Sequence, residues 1–184
     1  MRRQALIRIA TENDLDAVEE IYNEIHREEE NGKITTGWLR NIYPIRETAE
    51  AAVKRGDLFV LEERGVVLGS GIINQIQVDV YATAAWENEV PDHQVCVLHT
   101  LTIAPSYAGR GLGTQFVNFY ERFAAERGFT ELRIDTNARN TAARAMYRRL
   151  GYKEIGIVPT VFNGIPDVQL VLLEKKITAT TEEA

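Results

Sequence analysis

Cysteine is nearly absent: Cys96 is the only one in 184 residues. That excludes an internal disulfide and any multi-cysteine zinc site, and its place in the apolar run "CVLHTLTIAP" marks it as a small core residue. No metal is expected. Histidine is scarce, with only His26, His93 and His99 available for imidazole chemistry. No apolar run approaches the roughly 20 residues of a membrane-spanning helix, and the opening "MRRQALIRIATEND" has too short an apolar stretch for a secretory signal, so a cytoplasmic location away from membranes is expected. Basic residues are outnumbered, 21 Lys and Arg against 27 Asp and Glu, and a net charge of −6 argues against nucleic acid as a partner. Repeats are missing, as are low-complexity segments apart from the tail "TATTEEA" at 178–184, which reads as flexible.

What is present suits one globular domain over 1–177, with 45% hydrophobic and 26% charged residues. Charge is unevenly placed. Arg139, Arg144, Arg148, Arg149 and Lys153 follow one another without an acid, while "QIQVDVYATAAWENEVPDH" carries Asp79, Glu87, Glu89 and Asp92 without a base. The periodicity predicts a strand at "ALIRIA", then a helix from Asp14 to about Glu28, capped by Thr11 or Asn13, with Leu15, Val18, Ile21, Tyr22 and Ile25 on one stripe. "RETAEAAVKRG" reads as a helix ended by Gly56, and "LFVLEE" with "VVLGSGII" as a hairpin turning at Glu63 to Gly65. "QVCVLHTLTIA" is a strand, and "LGTQFVNFYERFAAERG" is a helix with Phe116, Phe119, Tyr120 and Phe123 on one stripe. After the strand "ELRIDT", "NTAARAMYRRLG" is a helix with Asn140 as N-cap, and the strands "YKEIGI" and "VQLVLLEK" close the chain. The order β-α-α-β-β-β-α-β-α-β-β is a mixed α+β fold.

Between strand and helix stands "AGRGLG", Ala108 to Gly113. A P-loop needs Gly-Lys-[Ser/Thr] there, and Gly113 is followed directly by Thr114. A dinucleotide fingerprint needs its third glycine at position 114, which is again Thr114, although Asp135 sits at a suggestive distance downstream. Glycines at a helix N-terminus let backbone N–H groups converge on an anion such as a pyrophosphate, and they equally permit a tight turn with no ligand.

"LTIAPSYAGRGLGTQF" followed by "NTAARAMYRRLGYKEIG" resembles the GNAT superfamily of acyl-CoA-dependent N-acetyltransferases. Its loop has the form Q/R-x-x-G-x-G/A, matched by Gly111 and Gly113, with Ala108 departing from the usual Gln or Arg. Its later helix N-x-x-A-x-x-x-Y-x-x-x-G-[F/Y] is matched by Asn140, Ala143, Tyr147, Gly151 and Tyr152. The resemblance implies a central, mostly antiparallel mixed sheet flanked by helices, with two strands splayed to form an acetyl-CoA cleft. It implies transfer of an acetyl group from acetyl-CoA, as co-substrate, to a primary amine by direct attack. It further implies that the amides of Gly109, Arg110, Gly111, Leu112, Gly113 and Thr114 take the pyrophosphate, that main-chain groups of Leu101, Thr102 and Ile103 pair with the pantetheine, that Asn140 bonds the pantetheine and Ala143 leaves room for it, and that Tyr147 serves as general acid to the departing thiolate.

By their spacing alone, Asn140 also reads as a helix cap and Tyr147 as a core residue. His99 is the candidate base, read equally well as a core histidine, with a glutamate or a water chain as substitutes. By the resemblance, Trp38, Tyr43, Tyr81 and Trp86 wall the acceptor site and Arg110, Arg144, Arg148 and Arg149 lie around the CoA phosphates; read by themselves, the aromatics equally anchor a solvated acidic loop and the arginines form the wet face of a helix. The amine itself, and whether the chain pairs into a homodimer, stay open. The rival reading is an acyl-CoA-binding sensor without turnover.

Overall fold

A computed structural model describes residues 5–180. Its strands and helices alternate as β1 (Leu6–Ile9), α1 (Leu15–Glu30), α2 (Arg46–Arg55), β2 (Leu58–Glu63), β3 (Val66–Asn74), β4 (Val95–Ile103), α3 (Leu112–Glu126), β5 (Glu131–Asn137), α4 (Thr141–Arg149), β6 (Lys153–Phe162) and β7 (Ile165–Lys176). The seven strands form one sheet in the order β1-β2-β3-β4-β5-β7-β6. Only β4 and β5 run parallel. The expected mixed, mostly antiparallel sheet is the sheet found.

Helical spacing decides which faces meet the sheet. On one face α3 buries Phe116, Val117 and Tyr120 against Cys96, Leu98 and Leu132, and the Tyr120 hydroxyl donates to the Cys96 carbonyl at 2.6 Å. On the other, Val18 and Tyr22 of α1 and Ala49 and Ala52 of α2 cover Leu58, Val60 and Ile72. Each large side chain sealed in this way contributes about 1.5–3 kcal/mol. The N-terminus of α1 is held by the Asp14 carboxylate, which accepts from the Thr11 amide at 2.8 Å and from Arg8 at 2.8 and 2.9 Å.

Two irregularities shape the site. The parallel pairing of β4 with β5 runs only from Val95↔Glu131 to Leu98↔Ile134, while β5 continues beside β7 as far as Asn137↔Leu170. Beyond Leu98 the two strands part. At the same point β4 bulges: Ser70 pairs with Thr102 and Ile72 with His99, so Gly71 of β3 faces both Thr100 and Leu101. Thr100 carries the strain with φ of 48°.

The closing hairpin is longer than the periodicity predicts. Asn163 and Gly164, with φ of 49° and 83°, form a tight turn that lets β6 reach Phe162 and β7 begin at Ile165. Pro159 is tolerated inside β6 because β6 is an edge strand. Of the tail at 178–184, residues 181–184 lie outside the described residues, and the Thr180 amide donates to the Ala125 carbonyl at 3.0 Å. No helix among the described residues is long and apolar enough to cross a membrane.

Candidate active site

A cleft of about 990 Å³ follows the parting of β4 and β5. One end lies at the turn before α3. There Gly109 and Gly111 have φ of 77° and 75°, and a Cβ built on either meets nothing within 4 Å. Their left-handed backbone, not crowding, is what requires glycine. Gly113 differs, since a Cβ there would lie 3.1 Å from Sδ of Met146 on α4. It lets two helices approach. The first intrahelical bond of α3 is Gln115 N–H to the Gly111 carbonyl at 3.0 Å, so the preceding amides stand free at the positive end of the helix dipole. This open, dipole-favoured cradle fits a pyrophosphate.

Along the floor, the edge of β4 beyond Leu98 has no strand partner on the β5 side. Leu101 and Ile103 turn their side chains into the helical core. The Thr102 hydroxyl is tied to Ser70 Oγ at 2.8 Å. The main chain of this stretch is left unpaired on the cleft side. Opposite, α4 presents Asn140, Ala143, Met146 and Tyr147 to the same space. Asn140 caps α4, its Oδ1 accepting from the Ala143 amide at 3.2 Å. Tyr147 is 5% exposed, packs edge-on to Tyr152 with ring centroids 5.7 Å apart, and its hydroxyl has no protein partner among the described residues. Burial first, and the Asp135 carboxylate second, push its pKa above the ordinary phenol range. It stays protonated at neutral pH and can donate.

A family model for the GNAT acetyltransferases matches residues 15–152. The chain belongs to the GNAT acetyltransferase family. An uncharacterized N-acetyltransferase of Methanocaldococcus jannaschii is 26% identical over 158 residues, which are 83% of this chain and 62% of that protein, so the chain spans under two thirds of that relative's length. A Salmonella typhimurium acetyltransferase crystallised with its cofactor acetyl-CoA superposes with a TM-score of 0.68 at 19% identity, over 99% of this chain and 100% of its own. The ribosomal-protein-S18-alanine N-acetyltransferase of Escherichia coli gives 0.67 at 18%, over 98% and 99%. At these identities the two structures speak for the GNAT fold alone.

Within this GNAT fold the glycine loop, Leu101 to Ile103, Asn140, Ala143 and Tyr147 line one cleft. His99 is placed elsewhere. Its Nε2 lies 2.9 Å from Asn74 Oδ1, it is absent from the cleft lining, and burial lowers its pKa to about 4. An unfolded imidazole takes up its proton near pH 6.5 and the folded one near 4, so the unfolded chain binds more protons between those values. Stability from this group is complete above about pH 6.5 and is lost as pH falls toward 4, up to about 3 kcal/mol. Urea unfolding of His99→Gln should show a flatter decline across that window than wild type, and parallel declines count against this placement.

The expected acceptor and phosphate residues also divide. Trp38 and Tyr43 line the cleft, whereas Trp86 faces another hollow, beside Arg133, whose guanidinium stacks on its ring at 4.1 Å. Tyr81 reaches in from behind, its hydroxyl donating to Asp135 Oδ2 at 2.7 Å. Arg149 lines the cleft, but Arg144 is engaged by Glu154 at 2.8 and 2.9 Å, and Arg110 pairs with Glu63 at 2.8 Å. Asp135, which the sequence singled out only for its distance from the glycine loop, also lines this cleft.

Proposed function

We propose that the chain is an N-acetyltransferase that moves an acetyl group from acetyl-CoA to a primary amine by direct attack. The observation that carries this reading is the continuity of the cleft. It runs from the glycine loop, along the unpaired edge of β4 and past Tyr147, to an aromatic wall of Trp38, Tyr43 and Phe162. In this reading the amides of Gly109 to Thr114 hold the pyrophosphate, the main chain of Leu101 to Ile103 aligns the pantetheine, and Asn140 and Ala143 bound it on the α4 side. The thioester supplies an activated acetyl carbon. Tyr147 supplies the proton for the departing sulfur, help typically worth about 10²–10⁴ in rate.

Acetyl-CoA at about 100 times its Kd should stabilise the fold by about 2.7 kcal/mol, raising Tm by roughly 5–10 °C. NADH should not match it, because the Thr114 position breaks the dinucleotide fingerprint. An equal shift from NADH, or none from acetyl-CoA, contradicts the cradle. Thiol release across a panel of amines then separates an enzyme from a sensor: binding without turnover of any amine favours the sensor.

A further inference from the structure

Asp135 lies one residue past the last β4–β5 pair, at the floor of the cleft where the strands separate. Tyr81 holds one carboxylate oxygen, Oδ2, at 2.7 Å, and no cation among the described residues pairs with the group. Tyr81 is itself fixed from behind: its carbonyl accepts from Trp86 Nε1 at 2.8 Å, its ring meets Trp86 edge-on at 5.0 Å, and Arg133 stacks on that Trp. An acid is thus positioned deliberately in a cleft whose other carboxylate, Glu28, pairs with Lys33 at 3.3 Å. The aromatic rings of Trp38, Tyr43 and Phe162 form part of the same lining, with edge-on centroid separations of 5.9 and 5.8 Å.

Building on the transferase reading, we propose that Asp135 receives the ammonium group of a small primary amine with a compact apolar body and takes its proton. The titratable groups that act electrostatically with Asp135 are the phenols of Tyr81 from the segment before β4, which bonds it, of Tyr147 from α4, and of Tyr43 from the loop before α2, whose hydroxyl bonds the Thr100 hydroxyl. Burial pushes all three phenols upward, so each keeps its proton at neutral pH. Asp135 is the contrasting group: burial raises it to about 6 and the Tyr81 hydrogen bond opposes that rise. It is ionised at pH 7 yet basic enough to accept a proton, and the aromatic wall favours a cation with apolar substituents over a bare polyamine. The protons balance. The ammonium gives one to Asp135; the nitrogen lone pair forms the C–N bond as the C–S bond breaks. Tyr147 protonates the departing sulfur and is restored by the second proton of the nitrogen, and Asp135 releases its proton to solvent.

Steady-state kinetics on the full chain with acetyl-CoA test this, using benzylamine and spermidine as probes. Benzylamine should be preferred in kcat/KM by about tenfold, the scale of one cation–aromatic contact. Asp135→Asn should lower kcat roughly 10²-fold at pH 7 while keeping the acetyl-CoA thermal shift. The deficit should shrink as pH approaches the pKa of the free ammonium, because an unprotonated amine needs no base. A structural role predicts the same deficit at every pH. Tyr81→Phe keeps the ring but removes the donor that favours the carboxylate, so the acidic limb of kcat should move up from about pH 6, a readout independent of how Asp135→Asn folds. Normal kcat or a pH-independent deficit in Asp135→Asn, an unmoved limb in Tyr81→Phe, or preference for spermidine overturns the proposal and leaves the transferase standing. Absence of thiol release by the wild type with every amine overturns the transferase reading, and this proposal with it.

Discussion

Gly111→Asp is expected to abolish acetyl-CoA binding in a protein that still folds. The fold should survive because a Cβ at this position points into open space, and the left-handed φ of 75° costs a non-glycine residue about 1–2 kcal/mol, with Asp and Asn tolerating it best. Binding should not survive. The new carboxylate stands among the free amides before Gln115, where a diphosphate would otherwise meet only donors and the positive helix end. Two unit charges about 4 Å apart repel by about 4 kcal/mol near a protein surface, a loss of roughly 10³ in affinity. Gly111→Asn separates the causes: it has the same backbone cost and nearly the same size but no charge, so its loss should be far smaller. Titration calorimetry on both variants reads the difference. Equal affinities for the two variants would remove the charge from the explanation, and wild-type affinity in Gly111→Asp would remove the cradle. Gly113 is the poorer test, because a side chain there first meets Met146.

The parts of the site that the sequence made legible are local ones. The glycines lie within one turn, and Asn140, Ala143 and Tyr147 share a helical stripe by their spacing, so no knowledge of the rest of the fold was needed to group them. The seven strands and four helices were likewise readable from period and punctuation. What escaped depends on distant segments. Glu131, Arg133 and Asp135 alternate with Leu132 and Ile134, a pattern that ordinarily marks a strand with one wet face. On that face Glu131 and Arg133 are buried, the segment before β4 laying Trp86 over Arg133 and Tyr81 against Asp135, and nothing within "ELRIDT" records the cover. The choice between the two readings of His99 was hidden for a related reason. The bulge at Thr100 and Leu101 resets the alternation of β4, so Leu98 and Leu101, three residues apart, pack into the same helical core while His99 turns to Asn74. A bulge is a property of two strands in register, invisible in either alone. The last hairpin, expected only as "YKEIGI" and "VQLVLLEK", runs on through Pro159, which an edge strand accommodates.

Tyr147→Phe should leave the fold and acetyl-CoA affinity intact and reduce kcat about 10²-fold. The ring is what packs: it is buried, it meets Tyr152 edge-on, and phenylalanine preserves that contact. The hydroxyl makes no hydrogen bond to protein among the described residues, so its removal strands no buried partner and the melting temperature should hardly change. Affinity should hold because, in the proposed reading, main chain away from Tyr147 would grip the phosphates and pantetheine. Only the proton for the departing sulfur is lost. That loss acts on the transition state and not on the bound ground state, so it belongs in kcat with KM little changed. It also differs in pH behaviour from the loss at Asp135. A phenol held above its ordinary range by burial stays protonated through neutral pH, so the Tyr147→Phe deficit should be nearly constant from pH 6 to 9, while the Asp135→Asn deficit should fall as the ammonium titrates. Paired pH profiles of kcat on one amine therefore assign the two protons separately. Undiminished turnover in a stably folded Tyr147→Phe protein would show that water protonates the sulfur, and a deficit that shrank with rising pH would place Tyr147 on the amine's side of the reaction.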